Sequence, residues 1–368
     1  MDAVPFRLAV PDAALADLRE RLARTRFPDE PPLEPWSTGT SLSYLKELIP
    51  YWADRFQWRS WEAKLNAFPQ FKARLGGIDV HFLHVKKRNT TPLLLCHGWP
   101  GSVFEFHKLL PLLAERFTVV APSLPGYGLS FTTGQKRFGA PEMADLFAEL
   151  MAGLGYARFA YQGGDWGASI GSVLGWKHPH RLLGLHLNLL MVGRDPGQPA
   201  STPEEKAYIE ELKHFLAEET GYQWIQGTRP QTLAYGLSDS PAGLAAWIVE
   251  KFRAWTDNDG NPESAVSRDE MLANISLYWL TGAIGSSFWP YYERKHGEWP
   301  IPRGKTVDVP LAYAAFPKEI LRPPRSLAAR TYTNIQRWTP MQKGGHFAAL
   351  EQPEALALDV IDFYGNLK

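Results

Sequence analysis

One cysteine, Cys96, among 368 residues leaves no partner for an intrachain disulfide, so a disulfide-stapled secreted scaffold is excluded. Cys96 closes the apolar run Leu93-Leu94-Leu95, which reads as an inert core position. Net charge is missing as well, with 39 Lys and Arg against 39 Asp and Glu. That balance argues against nucleic acid, an anionic membrane or a strongly charged substrate as partner. No stretch reaches the ~20 apolar residues of a membrane span, and the longest, 182–192, is interrupted by His186 and Asn188. The first 22 residues carry Asp2, Arg7, Asp12 and Asp17, which breaks the continuous apolar segment of a signal peptide. These absences predict a cytoplasmic protein. What is abundant is aromatic: 14 Trp, 14 Tyr and 19 Phe suit a large apolar pocket as well as packed cores. The length predicts one large core with appended pieces.

Residues 1–75 read as helical, with helices over 13–24, 42–56 and 58–66 and a proline-rich strap over 27–36. From residue 76 the pattern changes to strands, expected over 78–85, 92–96, 117–121, 158–162 and 182–189. Helices over 104–114, 141–154 and 168–178 fit between them, which predicts an α/β fold with a mostly parallel, doubly wound sheet. The alternation stops over 195–303, where helices are expected at 202–219, 241–255 and 269–281. It resumes over 304–368 with strands at 307–314 and 331–338. A helical insertion between late strands of a parallel sheet lands at the carboxyl edge, where ligands bind, so 195–303 reads as a lid.

The densest chemistry lies in Gln162-Gly163-Gly164-Asp165-Trp166-Gly167-Ala168-Ser169-Ile170-Gly171. A strand ends and a helix begins here, and a sharp strand-to-helix turn needs small neighbours around its exposed central residue. Gly163-Gly164-Asp165-Trp166-Gly167 puts a carboxylate at that turn, whereas Gly167-Ala168-Ser169-Ile170-Gly171 would offer a serine nucleophile. Position favours Asp165, because Ser169 falls about one helical turn later. An Asp165 that merely caps the helix is the bland alternative. A carboxylate nucleophile displaces at an electrophilic carbon and forms an ester, which water must then hydrolyse with help from a base.

The base is expected after the last strand, where Gly344-Gly345-His346 lies; His97, His178 and His180 are weaker candidates. Glu319 follows the strand before it and is expected to orient His346, with Asp195 as the second choice. The loop His97-Gly98-Trp99-Pro100-Gly101 suits an oxyanion hole, with the backbone N–H groups of Trp99 and Trp166 as donors and both residues at the substrate.

These runs together resemble the microsomal-type epoxide hydrolases of the α/β-hydrolase superfamily, over nearly the whole chain. The shared motifs are His97-Gly98-Trp99-Pro100, Gly163-Gly164-Asp165-Trp166-Gly167, Phe316-Pro317-Lys318-Glu319 and Gly345-His346-Phe347, with a similar lid stretch from Gly221 to Trp247. The resemblance implies an α/β-hydrolase fold and conversion of an apolar epoxide and water to a diol, without metal or organic cofactor. It also implies two lid tyrosines on the epoxide oxygen. Tyr222 matches the first and Tyr291 best matches the second, with Tyr292 adjacent as the alternative. Trp289 and Pro290 depart from the family's pattern beside it. Phenols have a physical reason to be there, since ring opening leaves an alkoxide that a group of pKa about 10 can protonate. A haloalkane dehalogenase would share the Asp165 turn but needs no such proton, and a ligand-binding receptor on the same fold would have a broken triad. The oligomeric state, a homodimer included, stays open.

Overall fold

The computed structural model describes residues 1–192 and 199–367. Nine strands follow in chain order: β1 Ala3–Phe6, β2 Gln70–Leu75, β3 Ile78–Val85, β4 Thr91–Cys96, β5 Phe117–Pro122, β6 Phe159–Gly163, β7 Leu182–Leu187, β8 Leu311–Ala315 and β9 Ile335–Pro340. They form one sheet in the order β1-β2-β3-β5-β4-β6-β7-β8-β9. The pairs from β1 to β5 are antiparallel, and every pair from β5 to β9 is parallel. The apolar runs explain the central strands: Leu93, Leu94, Val119, Val120, Phe159 and Ala160 are all fully buried, as befits strands covered by helices on both faces.

Two strands were not foreseen. The stretch 1–75 holds the expected helices Asp12–Ala23, Leu42–Asp54 and Trp58–Asn66, yet it also contributes β1 and β2 to the sheet. β1, a short half-exposed edge, gives little local signal, whereas β2 does alternate Phe71, Ala73 and Leu75 with Lys72 and Arg74, a period of two that the helical reading of 1–75 overlooks. The helix expected over 104–114 is split into a short 3-10 turn, Val103–Phe106, and the helix Leu109–Ala114. The strand expected from 307 reduces to a single bridge between Val307 and Tyr332, with β8 starting after Pro310.

Between β7 and β8 no strand interrupts the helices of the described residues. Pro203–Glu218, Pro241–Trp255 and Arg268–Thr281 match expectation, while Gly221–Thr228, Pro230–Asp239 and Trp289–His296 are additional. Arg268–Thr281 is fastened to the loop after β4: Asn274 Nδ2 donates to the Pro100 carbonyl at 2.7 Å, and Tyr278 Oη donates to the Gly101 carbonyl at 2.6 Å. The N-terminal segment straps the same helices from outside. Trp52 Nε1 donates to Ser276 Oγ at 2.9 Å and Thr40 Oγ1 to the Ala246 carbonyl at 2.6 Å. No helix of the described residues is long and apolar enough to cross a membrane.

Candidate active site

A parallel sheet brings its strand ends to one edge, and here that edge collects the residues singled out from the sequence. β4 runs into His97–Gly101, β6 into Asp165, β8 toward Glu319 and β9 toward His346. The closing register is set by a parallel bridge between Lys318 and Gly345. The residue after each partner, Glu319 and His346, is thereby placed side by side. Two residues separated by 26 others meet because the two strands end in register.

Asp165 is the first residue of the helix Asp165–Lys177 and has φ +47°, a left-handed conformation rare outside glycine. Such a backbone costs about 1–2 kcal/mol and swings the carboxylate out over the strand ends. Close packing makes room for it. A Cβ at Gly98 would overlap the Asp165 side chain, and one at Gly167 would overlap the Cys96 carbonyl. The Trp99 N–H donates to Asp165 Oδ1 at 2.7 Å, and His346 Nε2 lies 3.4 Å from Oδ2. Behind the imidazole, Nδ1 lies 2.6 Å from Glu319 Oε1, which also accepts the Ile320 N–H at 2.7 Å. The Glu319 and His346 side chains are 0% and 2% exposed, against 16% for Asp165.

Burial alone would push the His346 pKa down. The Glu319 charge, with hydrogen bonds to Asp165 and Glu319, outweighs burial and holds it well above the ordinary value. The imidazole is thereby biased toward its charged form between the two carboxylates.

An aromatic wall faces this dyad. Tyr222 is on the helix Gly221–Thr228 and Tyr291 on Trp289–His296; the two helices pack together, and both tyrosines are buried. Tyr222 stacks on Trp99 with ring centroids 5.3 Å apart, Tyr291 meets Trp166 edge-on at 4.9 Å, and the tyrosine rings are 5.7 Å apart. Burial raises both phenol pKa values. Each therefore holds its proton as a hydrogen-bond donor. Tyr292 instead stacks on Trp289 and on His296, on the other side of its helix.

The weaker candidates have other partners. His97 Nε2 accepts the Leu124 N–H at 3.1 Å, which leaves the proton on Nδ1, 3.0 Å from the Gly98 carbonyl. Burial lowers its pKa to about 4, so it is a neutral brace for the loop. His178 pairs with Asp145 at 2.7 Å near the surface, where His180 is exposed. Ser169 is buried one turn into the helix. Asp195 lies outside the described residues.

Two carboxyl groups were not foreseen. Glu351 accepts backbone N–H bonds from Asp257 (2.8 Å), Gly345 (2.9 Å) and Phe347 (3.0 Å), tying the His346 loop to the chain that follows the helix Pro241–Trp255. Glu105 lines the cavity of about 360 Å³ that also contains Trp99, Asp165 and His346. Its signal was a lone acid in the run Val-Phe-Glu-Phe beside the His97 loop. Among the described residues no group of three or more His, Cys, Asp or Glu side chains could hold a metal ion.

Comparison with known proteins agrees with this architecture. A family model described as epoxide hydrolase N terminus matches residues 3–106, and one described as alpha/beta hydrolase fold matches residues 91–220. Epoxide hydrolase 1 of Oryctolagus cuniculus is 37% identical over 404 residues, covering 98% of this chain and 88% of the relative. The crystal structure of juvenile hormone epoxide hydrolase from Bombyx mori superposes with a TM-score of 0.90 at 33% identity, over 100% of this chain and 95% of the other. The Aspergillus niger epoxide hydrolase structure gives 0.88 at 31% identity, over 100% and 97%. With full-length identity of this order and the same fold from end to end, the chain belongs to the epoxide hydrolases of the α/β-hydrolase superfamily and is itself an epoxide-hydrolysing enzyme.

Proposed function

We propose that the enzyme works in two steps through an ester on Asp165, and that Tyr222, Tyr291, His346 and Glu319 divide the proton transfers between them. The observation that carries this reading is the left-handed Asp165, with Trp99 N–H on one carboxylate oxygen and His346 beside the other. In the first step Asp165 attacks an epoxide carbon, the C–O bond breaks, and a tyrosine hydroxyl donates its proton to the alkoxide. In the second, His346 takes a proton from water as the water oxygen bonds to the ester carbonyl carbon. The carbonyl oxygen then carries the developing charge toward the Trp99 and Trp166 N–H groups. Collapse breaks the acyl carbon–alkoxy oxygen bond, the proton held on His346 passes to the leaving oxygen and the diol departs, and the carboxylic acid left on Asp165 gives up its proton, which restores the tyrosine hydroxyl. Glu319 keeps the proton on Nδ1 and stabilises the imidazolium.

The substrate proposed is an apolar epoxide, since the surface facing Asp165 is built from Trp99, Trp166, Tyr222 and Tyr291, with Trp255 against His346. The helices of 195–303 form a lid, flanked by core segments 76–194 and 304–368 and braced by 1–75. A cytoplasmic setting accords with the single cysteine. Single turnover with excess enzyme in ¹⁸O-labelled water tests the covalent step. The first diol is expected to carry unlabelled oxygen from Asp165, with label appearing in that side chain; a fully labelled first diol means direct attack by water.

A further inference from the structure

A second cavity, of about 220 Å³, lies behind the catalytic one and is lined by Trp61, His107, Glu270, Ala273 and Asn274 among others. Glu105 is the one residue that lines both cavities. It follows the loop of the Trp99 N–H donor on the short turn Val103–Phe106, and a Cβ at position 101 would overlap its carboxylate, so Gly101 leaves space for it. On the catalytic side its charged neighbours are His346 and Asp165. On the other side stand His107 and Glu270, the latter paired with both His107 (3.1 Å) and Lys108 (2.5 Å).

The two-step reaction needs a water that neither the nucleophile nor the tyrosines supply. It must reach the ester carbonyl from the His346 side while the diol precursor still fills the aromatic side. A route through the tyrosine wall would be blocked by the bound alkyl group. The second cavity meets the catalytic one at Glu105, and although its surface is mostly apolar, Glu105, His107, Glu270 and Asn274 in its lining offer a water the two to four polar partners it needs.

Resting on the two-step reading above, we propose that Glu105 is a positioning residue for ester hydrolysis, holding the attacking water against His346 at the mouth of a dedicated water route through the second cavity. One water proton goes to His346 Nε2 and the other is hydrogen-bonded by Glu105, so the oxygen lone pair faces the carbonyl carbon. The water adds and the ester bond breaks as described, with no further reactant. Burial raises the Glu105 carboxyl to about 8, His346 pulls it back and Asp165 adds to the rise, so its ionisation falls within an accessible pH range.

The test separates the two steps by rapid quench and intact-mass spectrometry with an aryl epoxide. Glu105→Leu should lower the ester-hydrolysis rate ~10²-fold and leave alkylation within about twofold, while Glu105→Gln, which keeps a carbonyl acceptor, should recover much of the loss. Ala273→Leu, which lines only the second cavity, should slow hydrolysis several-fold by filling the route. In the parent, the pH profile of hydrolysis should bend near 8, and the bend should be absent in Glu105→Gln. A parental hydrolysis rate in Glu105→Leu, or equal losses in both steps, overturns the role of Glu105; a parental rate in Ala273→Leu overturns the route. If the parent itself forms no ester, the Asp165 reading fails instead, which the same spectra reveal.

Discussion

Glu319→Gln separates charge from geometry behind His346. Glu319 Oε1 accepts from His346 Nδ1 at 2.6 Å and from Ile320 N–H at 2.7 Å, and a glutamine carbonyl can accept both. The imidazole therefore keeps its orientation and its free Nε2, and only the negative charge is lost. A hydrogen bond to a charged group contributes about 1.5–3 kcal/mol and a neutral one about 0.5–1.5. The difference, about 1–2 kcal/mol, corresponds to roughly 5–30-fold at 1.4 kcal/mol per tenfold. That loss belongs to the step in which imidazolium forms, so ester hydrolysis should slow by this factor. Alkylation should stay within about threefold, because Asp165 attacks without giving His346 a proton. The ester then accumulates, and intact-mass spectrometry during turnover should show a larger alkylated fraction than in the parent. Glu319 Oε2 is buried without a hydrogen-bond partner among the described residues. The glutamine amide placed there would be unpaired, so a lower Tm is also expected, at a cost of about 1–3 kcal/mol. An alkylation rate that falls as far as hydrolysis, or a hydrolysis rate that does not change, refutes the assignment of Glu319 to the second step.

Other consequences are equally direct. Tyr222→Phe and Tyr291→Phe should each slow alkylation toward the low end of ~10²–10⁴-fold, and the double variant should be almost inactive; Tyr292→Phe, stacked away from the site, should retain parental rates. His346→Gln should trap the ester, seen as a stable mass adduct, whereas Asp165→Ala should show none. Because the folded His346 pKa lies well above its unfolded value, its charge contributes stability that is fully present below about pH 6.5 and is lost as pH rises through the folded pKa. The stability deficit of His346→Gln, from denaturant titrations, should therefore be larger at pH 6 than at pH 10; a deficit independent of pH would contradict the raised pKa. Gly98→Ala should displace the Asp165 carboxylate and slow alkylation ~10²-fold, with little change in far-UV circular dichroism.

Much of the site was legible because its residues sit at places where local chemistry and chain order coincide. Glycines crowd Asp165 because only small residues fit a left-handed turn pressed against β4, and that crowding is visible in a string of letters. Apolar runs announced β4, β5 and β7 because strands buried on both faces have no polar positions to confuse the pattern. β1 was hidden because a short, half-exposed edge carrying Pro5 keeps no apolar period, whereas β2 does carry a period of two, Phe71, Ala73 and Leu75 alternating with Lys72 and Arg74, too short to stand out after the helical stretch before it. Tyr222 and Tyr291 are 69 residues apart on helices that individually look unremarkable. Their rings meet at 5.7 Å only because those helices pack together over Trp99 and Trp166. Sequence by itself determined the α/β alternation, the turn at Asp165 and the chain order of Asp165, Glu319 and His346. Tertiary structure alone decided that the Lys318–Gly345 bridge brings Glu319 onto His346, that Tyr291 packs on Trp166 while Tyr292 stacks on Trp289, and that Glu105 lines two cavities. Register, helix rotation and enclosed volume arise from contacts between segments far apart in the chain, and no local pattern encodes them.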